Sequence, residues 1–165
     1  MTDSTKLKLL AAIRRMGQTV VMTDFNSRLA FQKKVYLLQE LGLRLGNTYG
    51  WYIHGPYSRD VASDGFQLAL MQNNYEDNEL EQLSQDELAS ISTFQRLLQT
   101  AKETLPGRSE TYLLELLASL HFTLQRGYPR STNTAAGLER FIHLKTKFTD
   151  DAASALDLLE RFGLV

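Results

Sequence analysis

The stretch Ser109-Glu-Thr-Tyr-Leu-Leu-Glu-Leu-Leu-Ala-Ser-Leu-His-Phe-Thr-Leu124 decides the fold. Leu113, Leu114, Leu116, Leu117, Leu120 and Leu124 fall on nearly every side of a helical wheel, and a helix that is apolar all round has to be enclosed by other elements. Ser109 is a suitable N-cap, and Gly127, Pro129 and the cluster from Ser131 to Thr134 break the helix at its far end. The remainder of the chain must supply the cover.

Working outward, Ser84-Gln-Asp-Glu87 has the capping-box pattern and opens a helix that stops before Pro106. Beyond the central helix, two more are expected at about 134–145 and 150–161, the second capped by Thr149, with Asp150 and Asp151 near its positive end and Gly163 at its close. Upstream, residues 5–16 form a first helix with Asp3 or Ser4 as cap and Gly17 as stop. Asn26 or Ser27 caps a second helix that runs to Leu41 and is closed by Gly42. Its Phe31, Val35 and Leu38 make one apolar stripe and Leu37 and Leu41 a second, so it should be largely enclosed. Ser58 caps a third helix to about Met71, with Val61, Phe66 or Gly65, Leu68 and Leu70 available for packing. Residues 72–81 read as a polar, acidic loop.

Between the second and third helices, Tyr49 to Ile53 is rich in β-favouring aromatics. It reads as one short strand, paired with Leu43–Leu45 across a turn containing Asn47. The expected fold is therefore mainly α, six to seven helices with a small β-hairpin near 43–54, in a compact single domain spanning 1–165. It comprises an N-terminal motif half (1–75), winged-helix-like in its element order, and a C-terminal helical half (84–165).

Composition excludes several function classes. The chain has 165 residues, 43% of them hydrophobic and 22% charged, enough to build a real core. It has no cysteine, which removes disulfides, thiol catalysis and cysteine-ligated metals together. No apolar run approaches the roughly 20 residues that span a bilayer, and the polar N-terminus does not read as a signal peptide, so a cytoplasmic protein without a membrane partner is expected. The net charge of −1 hides an asymmetry: residues 1–60 carry nine Lys/Arg against four Asp/Glu, and residues 61–100 one against seven. The two blocks either neutralise each other in the fold or leave a basic face for nucleic acid.

The three histidines, His54, His121 and His143, have no metal-binding spacing, and the chain has no phosphate loop or serine nucleophile elbow. No metal, cofactor or catalytic residue is implied. What stands out is Asn47-Thr-Tyr-Gly-Trp-Tyr-Ile-His-Gly-Pro-Tyr-Ser-Arg59, which concentrates the only Trp and four aromatic rings around a Gly-Pro corner. Trp51 and Tyr52 alternate along the strand, so one ring is expected to anchor the core while the other faces outward. Tyr52, His54, Tyr57 and Arg59 form the candidate recognition patch, because Tyr, Trp and Arg dominate protein-interface hot spots.

Phe31-Gln-Lys-Lys-Val-Tyr-Leu-Leu-Gln39, followed by Gly50-Trp-Tyr-Ile-His-Gly-Pro-Tyr-Ser58, resembles the signature of the Panacea (SocA-like antitoxin) domains. It is closer still to the YwgA-like uncharacterised proteins, in which Tyr-Ser follows the Gly-Pro. Leu114-Glu-Leu-Leu-Ala-Ser-Leu-His121, Lys147-Phe-Thr-Asp150 and Leu158 to Val165 are similar to segments of the second group. The resemblance implies a compact helical module that binds proteins, toxins among them, without enzymatic activity. By position it marks Lys34, Tyr36, Trp51, Gly55 and Pro56, which are expected to be partly structural.

Two functions follow as expectations. The first is a non-enzymatic cytoplasmic protein-interaction module, antitoxin-like or defence-associated, whose partner is a protein such as a toxin. The alternative is a winged-helix-like nucleic-acid-binding regulator, in which Arg28, Lys33 and Lys34 contact phosphates or bases.

Overall fold

Local capping chemistry sets where most elements begin in the structure, a computed structural model that describes residues 1–127 and 133–165. Seven α-helices are present among these residues: α1 (Asp3–Arg15), α2 (Phe25–Glu40), α3 (Arg59–Met71), α4 (Gln85–Thr104), α5 (Glu110–Gln125), α6 (Thr134–Leu144) and α7 (Ala152–Arg161). Ser58, Ser84 and Ser109 cap α3, α4 and α5 as expected, and the Ser84/Glu87 capping box is formed. Three caps differ. Thr2 caps α1, and Asp24 caps α2 by a reciprocal box with Ser27. α7 begins after Asp151 with no side-chain cap, because the Thr149 hydroxyl is turned back onto the Thr146 carbonyl. The proposed break at Pro129 and Ser131 lies outside the described residues. Residues 72–74 and 77–79 form short 3-10 turns within the expected acidic loop.

α5 lies at the centre, packed by α2, α4, α6 and α7, and every residue from Leu113 to Leu124 is buried. One continuous core runs from Leu9 of α1 to Leu164 beyond α7. α2 is enclosed more fully than its stripes predict, because Gln32 and Lys33 are buried with its apolar residues. α3 meets the core through Val61, Gly65 and Leu68. Phe66 and Leu70, offered above for that packing, are exposed, since Gly65 lies so close to the Phe31 ring that only a glycine fits at the contact.

The hairpin is present but displaced along the chain. β1 (Gly50–Tyr52) pairs antiparallel with β2 (Gly55–Tyr57), in the register Gly50 to Tyr57, Trp51 to Pro56 and Tyr52 to Gly55. Leu43 and Leu45, the expected partners, are instead buried in a run that forms no strand with the described residues. The physical reason is Gln39, whose side-chain amide donates to the Asn47 carbonyl (2.9 Å) and accepts from the Asn47 N–H (2.8 Å). A strand partner for this stretch is thereby replaced by a helix side chain. The reversal falls on Ile53-His54, and Gly55 closes it with a left-handed φ of +89°.

The two charge blocks meet. Lys8 pairs with Glu87 (3.0 Å) and Arg14 with Asp77 (2.8 Å), which joins the basic first third to the acidic middle. Among the described residues no helix is long and apolar enough to cross a membrane.

Candidate functional site

Two three-residue strands cannot hold themselves together in water, so the hairpin must be fixed by its surroundings. Three buried side chains do this from below. Lys33 of α2 donates from Nζ to the Pro56 carbonyl (2.6 Å), and Lys145, just after α6, donates to the Ile53 carbonyl (2.9 Å). Gln32 brackets Ser58, donating to its carbonyl (2.8 Å) and accepting from its N–H (3.1 Å). Gly55 rests on α5 so closely that a Cβ there would overlap Ser119 Oγ.

Glu115 of α5 organises these cations. Its Oε1 accepts from Lys145 Nζ and its Oε2 from Lys147 Nζ, each at 2.7 Å, while His54 Nδ1 stands 3.5 Å from Oε1. Burial alone would raise the Glu115 carboxyl, but the two lysine hydrogen bonds outweigh it and hold the group below the usual carboxylate range. Burial pushes the Lys145 amine down despite its bond to Glu115. Lys33, further from the carboxylate, is lowered by burial to about 7, against the raising influence of Glu115.

Above this charged base lies a pocket of about 340 Å³. Phe25 and Leu29 of α2, Tyr52 and Ile53 of the hairpin, and Ala62 and Phe66 of α3 supply its apolar wall. Phe25, Tyr52, Ile53 and Phe66 remain exposed, Ile53 at 87%, so the rim offers uncovered apolar surface rather than a sealed interior. Arg28, Lys33 and His54 are the basic residues of the lining, which contains no Asp or Glu. The His54 ring is set by an edge contact with Phe25 (5.1 Å between centroids) in addition to Glu115.

Of the proposed recognition residues, Tyr52, His54 and Tyr57 line this pocket together, with the rings of Tyr52 and Tyr57 5.0 Å apart. Arg59 is exposed at the start of α3 and does not line it. The expected division of labour between Trp51 and Tyr52 does not hold, because both rings are exposed. Trp51 lies against Phe122 (5.8 Å) and below Lys145 Nζ, and the anchors from this segment are the buried Gly55 and Pro56. Tyr36 is structural: it is buried and its hydroxyl is 2.7 Å from His121 Nδ1.

Lys33 is removed from the set of nucleic-acid contacts, since it is 1% exposed and committed to Pro56. Lys34, the position matched by resemblance, points elsewhere, with Nζ on Gln18 Oε1 (2.5 Å), and it is Lys33 that reaches the Gly-Pro corner. Arg28 lines the pocket.

The sequence reading missed Glu115, Lys145, Lys147, Gln32, Phe25 and Phe66. Only Glu115 left a signal, as a carboxylate inside a helix that must be enclosed, where burial demands a cationic partner. Among the described residues, no group of three or more His, Cys, Asp or Glu is placed to hold a metal. Comparison with protein-family models, with curated proteins and with solved structures finds no match for the chain.

Proposed function

We propose that this protein is a non-enzymatic, cytoplasmic interaction module that receives an apolar side chain of a protein partner in the pocket between the hairpin, α2 and α3. The observation that carries the reading is the uncovered rim of Phe25, Tyr52, Ile53 and Phe66 around a cavity whose hairpin wall is fixed from below. A fixed aromatic wall lowers the ordering cost of binding, and aromatic rings beside an Arg are the composition of interface hot spots. The resemblance to toxin-neutralising domains supports the same class of partner, which makes an antitoxin-like or defence-associated role the specific form of the proposal. Nucleic-acid binding is the weaker reading, because it loses Lys33 and keeps only Arg28 and Lys34.

The test compares wild type with Ile53→Asp/Phe66→Asp, both shown to be folded, as baits in a pull-down from the native host. Each protein held only by wild type is then purified and its affinity measured. The expected result is at least one direct partner bound at least tenfold more weakly by the double variant. Equal binding of all direct partners by both baits sinks the proposal.

A further inference from the structure

Resting on the interaction reading above, the chemistry of the pocket points to its occupant. We infer that the site selects an acidic peptide segment, in which one large apolar side chain fills the cavity and a neighbouring Asp or Glu carboxylate meets Arg28.

Size favours a single side chain. The cavity volume of about 340 Å³ lies at the lower end of the range for binding pockets, roughly 300 to 1,000 Å³, enough for one aromatic or long aliphatic group and part of its backbone. Charge favours an acid beside it. Arg28 supplies the accessible cation of the lining, and no carboxylate lines the pocket. The Arg28 guanidinium makes no ion pair among the described residues, while Asp24, one turn before it, is occupied in capping, with Oδ1 accepting from the Ser27 N–H at 2.7 Å. Behind the hairpin the one buried carboxylate, Glu115, is outnumbered by Lys145 and Lys147, so it does not cancel the positive field of the pocket. A cationic segment would enter against that field, and an acidic one gains a charge-assisted hydrogen bond from an arginine with no ion pair among the described residues.

A test uses phage-displayed random 12-residue peptides, selected on wild type and counter-selected on Ala62→Trp, whose indole fills the cavity. Enriched peptides are expected to carry Phe, Trp or Leu with Asp or Glu within two positions. Synthetic versions measured by fluorescence anisotropy should bind at least tenfold more weakly when the acid is changed to its amide, when the apolar residue is changed to Ala, or when the protein carries Arg28→Gln. Arg28→Gln leaves the internal ion pairs untouched, so its loss of binding reports the contact and not the fold.

Enriched peptides that are neutral or basic, or whose affinity ignores both charge changes, overturn the inference and leave the interaction reading standing. If no peptide is excluded by Ala62→Trp, both fail. Self-association of the wild type that Ala62→Trp abolishes assigns the pocket to a second copy of the chain and also overturns the inference.

Discussion

At the scale of single residues, Lys33 carries a burial cost that its surroundings do not fully offset. Its amine is buried beneath the hairpin, where desolvation opposes the charged form, and its one fixed acceptor is a neutral carbonyl. The ordinary value of 10.5 describes it when the chain is unfolded and about 7 when it is folded. Between these limits the unfolded chain binds more protons, so stability rises with pH, by up to about 1.4 kcal/mol per pH unit for one proton. Below about pH 7 the folded amine is charged as well and the slope from this group ends. Lys33→Met is therefore expected to flatten the rise in urea midpoint between pH 7 and 9, leaving the contributions of Lys34 and Lys145, whose amines burial also pushes down. An unchanged slope in the variant would show that Lys33 is fully charged in the fold across this range.

At the scale of elements, the hairpin behaves as a part docked on α5 rather than as a sheet in its own right. Glu115 holds Lys145, and Lys145 holds the Ile53 carbonyl. Glu115→Gln leaves Lys145 as a buried cation without its carboxylate, and breaking such a pair costs about 3–5 kcal/mol. Hydrogen exchange should place the loss: amides of residues 50–57 gain exchange first, while α1 and α4 keep their protection relative to one another. Uniform acceleration through all helices would contradict the docked-hairpin account. The same distinction explains what could be read from the sequence. Ser58, Ser84 and Ser109 act within three residues of themselves, so the starts of α3, α4 and α5 were legible. The strand pairing was not, because the Gln39 side chain takes both backbone groups of Asn47 just beyond the end of its own helix, and an amide in a helical repeat carries no mark of that use. Tyr52, His54 and Tyr57 could be chosen from composition alone. Phe25 and Phe66 could not, because their exposure depends on how α3 closes over Gly65.

At the scale of the whole molecule, both ends of the chain are tied to its helices, and a buried imidazole near the C-terminal segment makes the fold sensitive to acid. The N-terminal ammonium pairs with Asp64 of α3 at 2.9 Å. Near the other end, His121 of α5 faces the Tyr36 hydroxyl and borders Leu164, so that α2, α5 and the C-terminal segment meet at one imidazole. Burial lowers the pKa of His121, so the folded protein keeps it neutral where an unfolded histidine, with an ordinary value of 6.5, begins to take up a proton. The unfolded chain then binds more protons and stability falls as pH drops below about 6.5. Glu115 adds a second loss lower down, because its depressed carboxyl stabilises the fold above the ordinary 4.5 and ceases to do so as it is protonated. His121→Gln separates the two. The amide can still accept from Tyr36 but does not titrate, so chemical denaturation should show a lower midpoint at pH 7.5 and a flatter decline between pH 6.5 and 5, with the later loss below pH 4.5 retained. If the decline between pH 6.5 and 5 is as steep in His121→Gln as in wild type, the acid sensitivity in that window does not belong to the imidazole that joins α2, α5 and the C-terminal segment.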